Sequence, residues 1–266
     1  MKPKFRYHIL LVLMLLFAFT SCEKVVQLKL DNAEPQLVIE GAVTNQNTNH
    51  IVKISYSVPF TDSNTFPAVS GAIVTIKDDR NNTYTLTENS PGTYLTPKFS
   101  GRIGYTYTIT ANVNGKTYTG SSTMPVPVRF ENLSYKNSFF DADKKIITIH
   151  YSDPGNIANQ YRFVMFVNGA QVKAIFDEDD SFTDGRYVDE DLYQDAVDIK
   201  VGDQVTVEGQ CIDRNIYTYW FSLSQQSGGG RGGGSPSPSN PPSNLNNNAL
   251  GYFSAHTVQR LSTIVK

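Results

Sequence analysis

Ten carboxylates crowd between Asp177 and Asp198 against a single cation, Arg186. Asp177-Glu-Asp-Asp180, Asp184-Gly185 and Asp189-Glu-Asp191 offer hard oxygen ligands of the kind calcium takes. Asp177, Asp179, Asp180 and Asp184 are the candidate ligands. The EF-hand register is not met, because Phe182 stands where that loop needs glycine. Without a cation these like charges repel one another, so the stretch also reads as a solvated loop or an acidic patch facing a partner. Groups suited to covalent or acid–base chemistry are sparse. His50, His150 and His256 show no H-E-x-x-H spacing, and no G-x-S-x-G elbow occurs. His50 and His150 read as ordinary strand-edge histidines. From spacing alone no nucleophile, base or metal constellation assembles, and the expectation is that the chain is not an enzyme.

Cys22 carries a different chemistry. Lys2, Lys4 and Arg6 precede an apolar run from Ile9 to Phe19, and Thr20-Ser21 directly precede the cysteine. That is the layout of a secretory signal, with a run too short to span a bilayer as a helix. Phe19 at −3 does not suit ordinary signal peptidase, whereas a small pair before cysteine resembles a bacterial lipobox. The expectation is removal of 1–21 and lipidation of Cys22 (palmitate among the acyl chains), followed by a polar tether over 22–35. Several acyl chains on one residue hold firmly, where a single chain binds marginally. The other cysteine, Cys211, has no partner for a disulfide once Cys22 is lipidated. Val205, Val207, Gly209 and Cys211 share one face of a strand, so Cys211 reads as a small buried hydrophobe.

The balance of charge narrows the partners. The signal holds three of the 23 Lys and Arg and none of the 25 acids, so 20 cations face 25 acids in the mature chain, a net charge of −5. A mildly acidic surface excludes nucleic acid as the natural partner, because phosphate neutralisation needs clustered cations.

The elements that must position these groups are mostly strands. From Gln36 onward, short runs rich in Val, Ile, Thr and Tyr are broken by Gly, Asn, Asp and Pro. Asn114-Gly115 between Tyr105–Val113 and Lys116–Thr119 is a type I′ hairpin signal. About seven strands over 36–125 predict a β-sandwich of immunoglobulin- or transthyretin-like kind. Met124-Pro-Val-Pro127 is a stiff joint, and 128–266 is expected to form a second β-rich, sandwich-like domain. Within it, 213–226 places Ile216, Trp220 and Leu223 at helical spacing, with Asp213 as N-cap and Gly228 as stop. Trp220 reads as the core anchor of that helix, or as a stacking platform for a ligand together with Tyr217 and Tyr252. Residues 227–248, dominated by Gly, Pro, Ser and Asn, are expected to form a disordered loop. Ala249–Ala255 and Thr257–Val265 then read as buried strands.

Several segments together resemble a known family. They are Pro35-Gln-Leu-Val-Ile-Glu-Gly41, Val69-Ser-Gly-Ala-Ile-Val74, Pro91-Gly-Thr-Tyr94, Met124-Pro-Val-Pro127, Asp180-Ser-Phe-Thr-Asp-Gly185, Asn240-Pro-Pro-Ser-Asn244 and Ala249-Leu-Gly-Tyr-Phe-Ser-Ala255. They are similar to a Bacteroidetes outer-membrane lipoprotein family catalogued as domain of unknown function 4249. The resemblance implies location and company, since such proteins are often encoded beside TonB-dependent receptors; it implies no catalytic residue. The expected function is a lipid-anchored accessory to a TonB-dependent transporter, on the cell surface or the periplasmic face of the outer membrane. The alternative is a carbohydrate- or peptide-binding lipoprotein that delivers its ligand to a transporter.

Overall fold

The computed structural model describes residues 34–59, 63, 65–138, 141, 144–226 and 239–266. The expected signal, Cys22, nearly all of the tether, Gly228 and residues 227–238 lie outside the described residues. The chain is mainly β, as its β-branched and aromatic runs predict. Its first half holds β1 (Leu37–Thr44), β2 (Ile51–Tyr56), β3 (Ile73–Asp78), β4 (Thr83–Thr85), β5 (Thr87–Ser90), β6 (Thr93–Leu95), β7 (Thr106–Val113) and β8 (Lys116–Thr123). The second half holds β9 (Phe130–Asn137), β10 (Lys145–Ser152), β11 (Gln160–Val167), β12 (Ala170–Gln171), β13 (Phe176–Asp179), β14 (Tyr187–Leu192) and β15 (Gln204–Cys211). The helix α1 (Arg214–Gln226) then leads toward the last strand, β16 (Leu250–Ile264).

These strands form three sheets among the described residues. The large one runs β12-β11-β15-β16-β1-β2-β6-β5, with β13 also paired to β11. Two smaller sheets, β4-β3-β7-β8 and β14-β10-β9, complete the layers. Alternation along each strand turns one face inward, and this gives two hydrophobic clusters. The first gathers Ile39, Val52, Ile54, Ile76, Tyr94, Tyr107, Ile109 and Phe253; the second gathers Phe130, Ile147, Ile149, Tyr161, Phe163, Val207 and Cys211. Met124 belongs to the first and Val128 to the second, with exposed Val126 between them. The Met-Pro-Val-Pro joint is thus anchored at both ends.

The last strand decides how the halves combine. Where two buried strands were expected at 249–255 and 257–265, one 15-residue strand is present. Val38–Thr44 pair with Leu250–His256 in parallel, and Gln204–Cys211 pair with Thr257–Ile264 in antiparallel fashion. Phe253 and Ala255 therefore complete the first cluster, although they follow the second half in sequence. Pro35–Lys266 forms one compact unit.

The close of the long loop is also tied down. The Asn244 side chain donates to the Phe253 carbonyl at 2.7 Å and accepts from the Phe253 N–H at 3.0 Å, so a side chain stands in for a neighbouring strand. Asn246 bonds Thr119, and Leu245 is buried in the first cluster. Composition marked residues 239–248 as mobile because it counts apolar area. These residues are held by amide side chains bonding backbone instead.

Candidate functional site

Asp213 starts α1 as the spacing predicts: its Oδ1 accepts from the Ile216 N–H at 3.0 Å. Its other oxygen accepts from the Ser122 hydroxyl and, at 3.2 Å, from the Thr123 N–H, which ties the helix start to β8. The helix lies against β11, β13 and β16, and Ile216 is its fully buried apolar contact.

Trp220 and Tyr252 come together under this helix, both half-buried. The Arg162 guanidinium sits 3.7 Å from the Trp220 ring centre, while Tyr219 and Tyr252 meet the indole edge-on at 5.3 and 5.2 Å. Arg162 also donates to Gln210 Oε1 at 3.1 Å, and burial works against its charged form. Trp220 is thus a clamp between helix and sheet, its face engaged by a buried cation.

Tyr217, three residues before Trp220 on the same helix, makes different contacts. It stacks with Phe221 at 5.6 Å and faces a groove of about 400 Å³ lined also by Asp177, Glu178, Glu190, Asp191, Tyr193 and Ser224. Burial, reinforced by Asp179, Asp177 and Glu178, pushes the Tyr217 hydroxyl up to about 12. Burial likewise lifts Asp177 to about 6, opposed by the Ser224 hydroxyl and Arg162. Asp177 and Tyr217, singled out separately in the sequence, therefore share one acidic, aromatic groove. Asp179 does not line this groove; its Oδ1 accepts from the Ser181 N–H at 3.1 Å.

Asp180 and Asp184 lie elsewhere. Each offers an oxygen within 4.8 Å of the other and of Asp153. Asp153 is absent from the sequence-level candidates. It precedes Pro154-Gly155 some two dozen residues before the acidic stretch, and only the fold brings those loops together. The Tyr161 hydroxyl donates to Asp153 Oδ1. Burial raises the Asp153 carboxyl, Tyr161 and the Gly185 N–H oppose this, and the Asp180 and Asp184 charges add to it.

One constellation was invisible to spacing. His150 Nε2 lies 2.7 Å from Ser134 Oγ, and its Nδ1 lies 2.5 Å from Asp189 Oδ1. Cross-strand pairing of β9, β10 and β14 creates this order on the outer face of the small sheet, with Ser134 diagonal to His150. The contacts match those of a serine nucleophile, base and orienting acid. Lys136, Thr148 and Asp191 continue the same polar rows, with Thr148 itself buried. His50 and His256 serve structure: His50 Nδ1 accepts from the Thr44 N–H at 3.3 Å, and buried His256 contacts Ser254.

The model of one protein family, described as Domain of unknown function (DUF4249), matches residues 23–262. The chain belongs to that family. The match covers the first hydrophobic cluster, the helix, β16 as far as Ser262 and all of the second cluster but Val265, so the DUF4249 unit includes the groove and the Asp153 loops alike. It begins at the residue after Cys22. Comparison with curated proteins found no match.

Proposed function

We propose that this chain is a lipid-anchored outer-membrane accessory protein, held through acyl chains on Cys22, that acts as a non-enzymatic partner of a TonB-dependent transporter. The observation that carries the reading is the groove beside α1. Its carboxylates Asp177, Glu178 and Glu190, beside an Asp191 already paired with Lys136, and its aromatic wall of Tyr217 and Phe221 suit a basic, extended segment of another protein. Carboxylates attract Lys and Arg, and the ring faces add cation–π contact. Anchoring confines the protein to the membrane plane and raises its effective concentration near such a partner. The family match starts at residue 23, one residue past Cys22, and is compatible with removal of 1–21.

For the reading as a carbohydrate- or peptide-binding module, Arg162 occupies a face of Trp220, while Tyr217 stays at the groove. A peptide remains compatible with the groove, and one experiment separates the readings. Lipidated protein is recovered from membranes in mild detergent, and its partners are identified by mass spectrometry. A stoichiometric TonB-dependent receptor, lost on Glu178→Lys with Glu190→Lys, is the expected result. Recovery of the lipoprotein alone would sink the accessory reading and favour a self-sufficient binding module.

Non-enzymatic action has its own check at Ser134. A fluorophosphonate probe reports an activated serine, and no labelling of Ser134 is expected. Labelling abolished by His150→Ala would overturn the non-enzymatic assignment.

A further inference from the structure

The turn after β10 and the turn between β13 and β14 meet backbone to backbone: a Cβ built on Gly185, which has φ +70°, would lie 3.3 Å from Gly155 Cα. Three carboxylates face one another across this junction. Asp153 and Asp180 are 4% and 8% exposed, and Asp184 stands at the solvent edge. Each uses one oxygen to hold a loop. Asp180 Oδ2 accepts from the Asn159 N–H at 2.6 Å, Asp184 Oδ1 from the Asn156 N–H at 2.7 Å, and Asp153 Oδ1 from the Tyr161 hydroxyl. Asp153 Oδ2 is fully buried and makes no hydrogen bond, although the Gly185 N–H lies close enough to this carboxyl to favour its charged form. Among the described residues, no Lys, Arg or His forms an ion pair with any of the three.

A buried carboxylate oxygen with neither hydrogen bond nor cation is costly, and two more carboxylates beside it make the site more unfavourable still. Two further buried oxygens without partners, Asn159 Oδ1 and Thr183 Oγ1, belong to the same two loops. An all-oxygen, strongly anionic set on two apposed loops is the donor chemistry of calcium, which tolerates irregular geometry better than magnesium does. We propose that Asp153, Asp180 and Asp184 bind a divalent cation, calcium by its donor chemistry, and that this ion fastens the β10–β11 turn to the β13–β14 turn. The site differs from the one expected in sequence: Asp177 and Asp179 are outside it, and Asp153 replaces them. It is independent of the transporter reading.

Terbium luminescence on the full mature chain, excited through tyrosine, tests the site, since Tyr161 touches Asp153. Saturable emission displaced by calcium is expected, with a melting temperature several degrees higher in calcium than in EGTA. Asp184→Asn, at an exposed position that folding tolerates, should weaken terbium affinity by on the order of tenfold or more. Asp153→Asn with Asp180→Asn should abolish it, circular dichroism confirming the β fold. Glu178→Gln with Glu190→Gln in the groove should leave it intact. Absence of saturable emission together with no response of melting to calcium would overturn the site. So would emission that survives Asp184→Asn unchanged but disappears with the groove variant.

Discussion

At the scale of single residues, buried titratable groups make stability depend on pH in opposite directions. Burial, aided by Arg162, depresses His256 to about 4, below the ordinary histidine value. Between about 6.5 and 4 the unfolded chain binds the proton that folded His256 refuses, so stability is lost as pH falls through that window. The loss reaches at most about 3 kcal/mol, and His256→Gln should show a shallower decline of melting temperature from pH 7 to pH 4 than the parent. Asp177 has the opposite sign. Its raised value, about 6, means the folded chain holds the proton more tightly, so stability falls as pH rises from about 4 to 6. Asp177→Asn should therefore stabilise the protein at pH 8, on the order of 1 kcal/mol after solvent screening, and lose that gain at pH 4. A gain independent of pH in denaturant titrations would count against this account. Gly209 is constrained by space: a Cβ there would lie 2.3 Å from the Phe130 ring. Gly209→Ala should cost about 1–3 kcal/mol in urea unfolding, since a close-packed core has no room to yield.

At the scale of elements, α1 and β16 depend on contacts that reach across the chain. The Asp213 carboxylate caps the helix and receives the Ser122 hydroxyl, whose oxygen in turn accepts from the Ala255 N–H at 2.7 Å. Asp213→Ala removes cap and tether together and should destabilise by about 1–3 kcal/mol, more than a cap alone. Trp220→Ala leaves Arg162 buried without its aromatic cover. Tryptophan loss and the stranded guanidinium should together cost about 2–4 kcal/mol. Hydrogen exchange should then rise first in 214–226; uniform exchange across the molecule would show that the clamp is not local. In β16, Gly251 adopts φ +87°, and a Cβ would approach the Ile39 carbonyl oxygen to 2.2 Å. This glycine lets the parallel pairing with β1 begin, which gives the Leu-Gly-Tyr-Phe segment a structural reason.

At the scale of the whole molecule, β16 welds the first and last parts of the sequence into one sheet. Much of this was legible beforehand. Alternation located most strands, because a strand with one buried face must repeat every second residue. Asn114 and Asn168 take positive φ before Gly115 and Gly169, as the Asn-Gly pairs predict. Helical spacing after Asp213 and the burial of Cys211 were equally local matters, and local chemistry is written in local sequence. β9 was missed because Phe-Glu-Asn-Leu-Ser-Tyr-Lys-Asn is an edge strand with few inward positions, and β13 and β14 because their carboxylates read as a solvated loop. The candidate sites divided along the same line. Asp180, Asp184, Tyr217 and Trp220 could be named from type and neighbours. Partnership could not: Asp153 with Asp180, Arg162 under Trp220, and Ser134 beside His150 are set by loop apposition and cross-strand register. The sequence by itself determined where most of the strands lie, where the helix begins and that the chain carries an acidic stretch, since these follow from short-range sterics, periodicity and charge. Only the tertiary structure decided which carboxylates meet and that one strand spans both cores, because those depend on contacts between residues far apart along the chain.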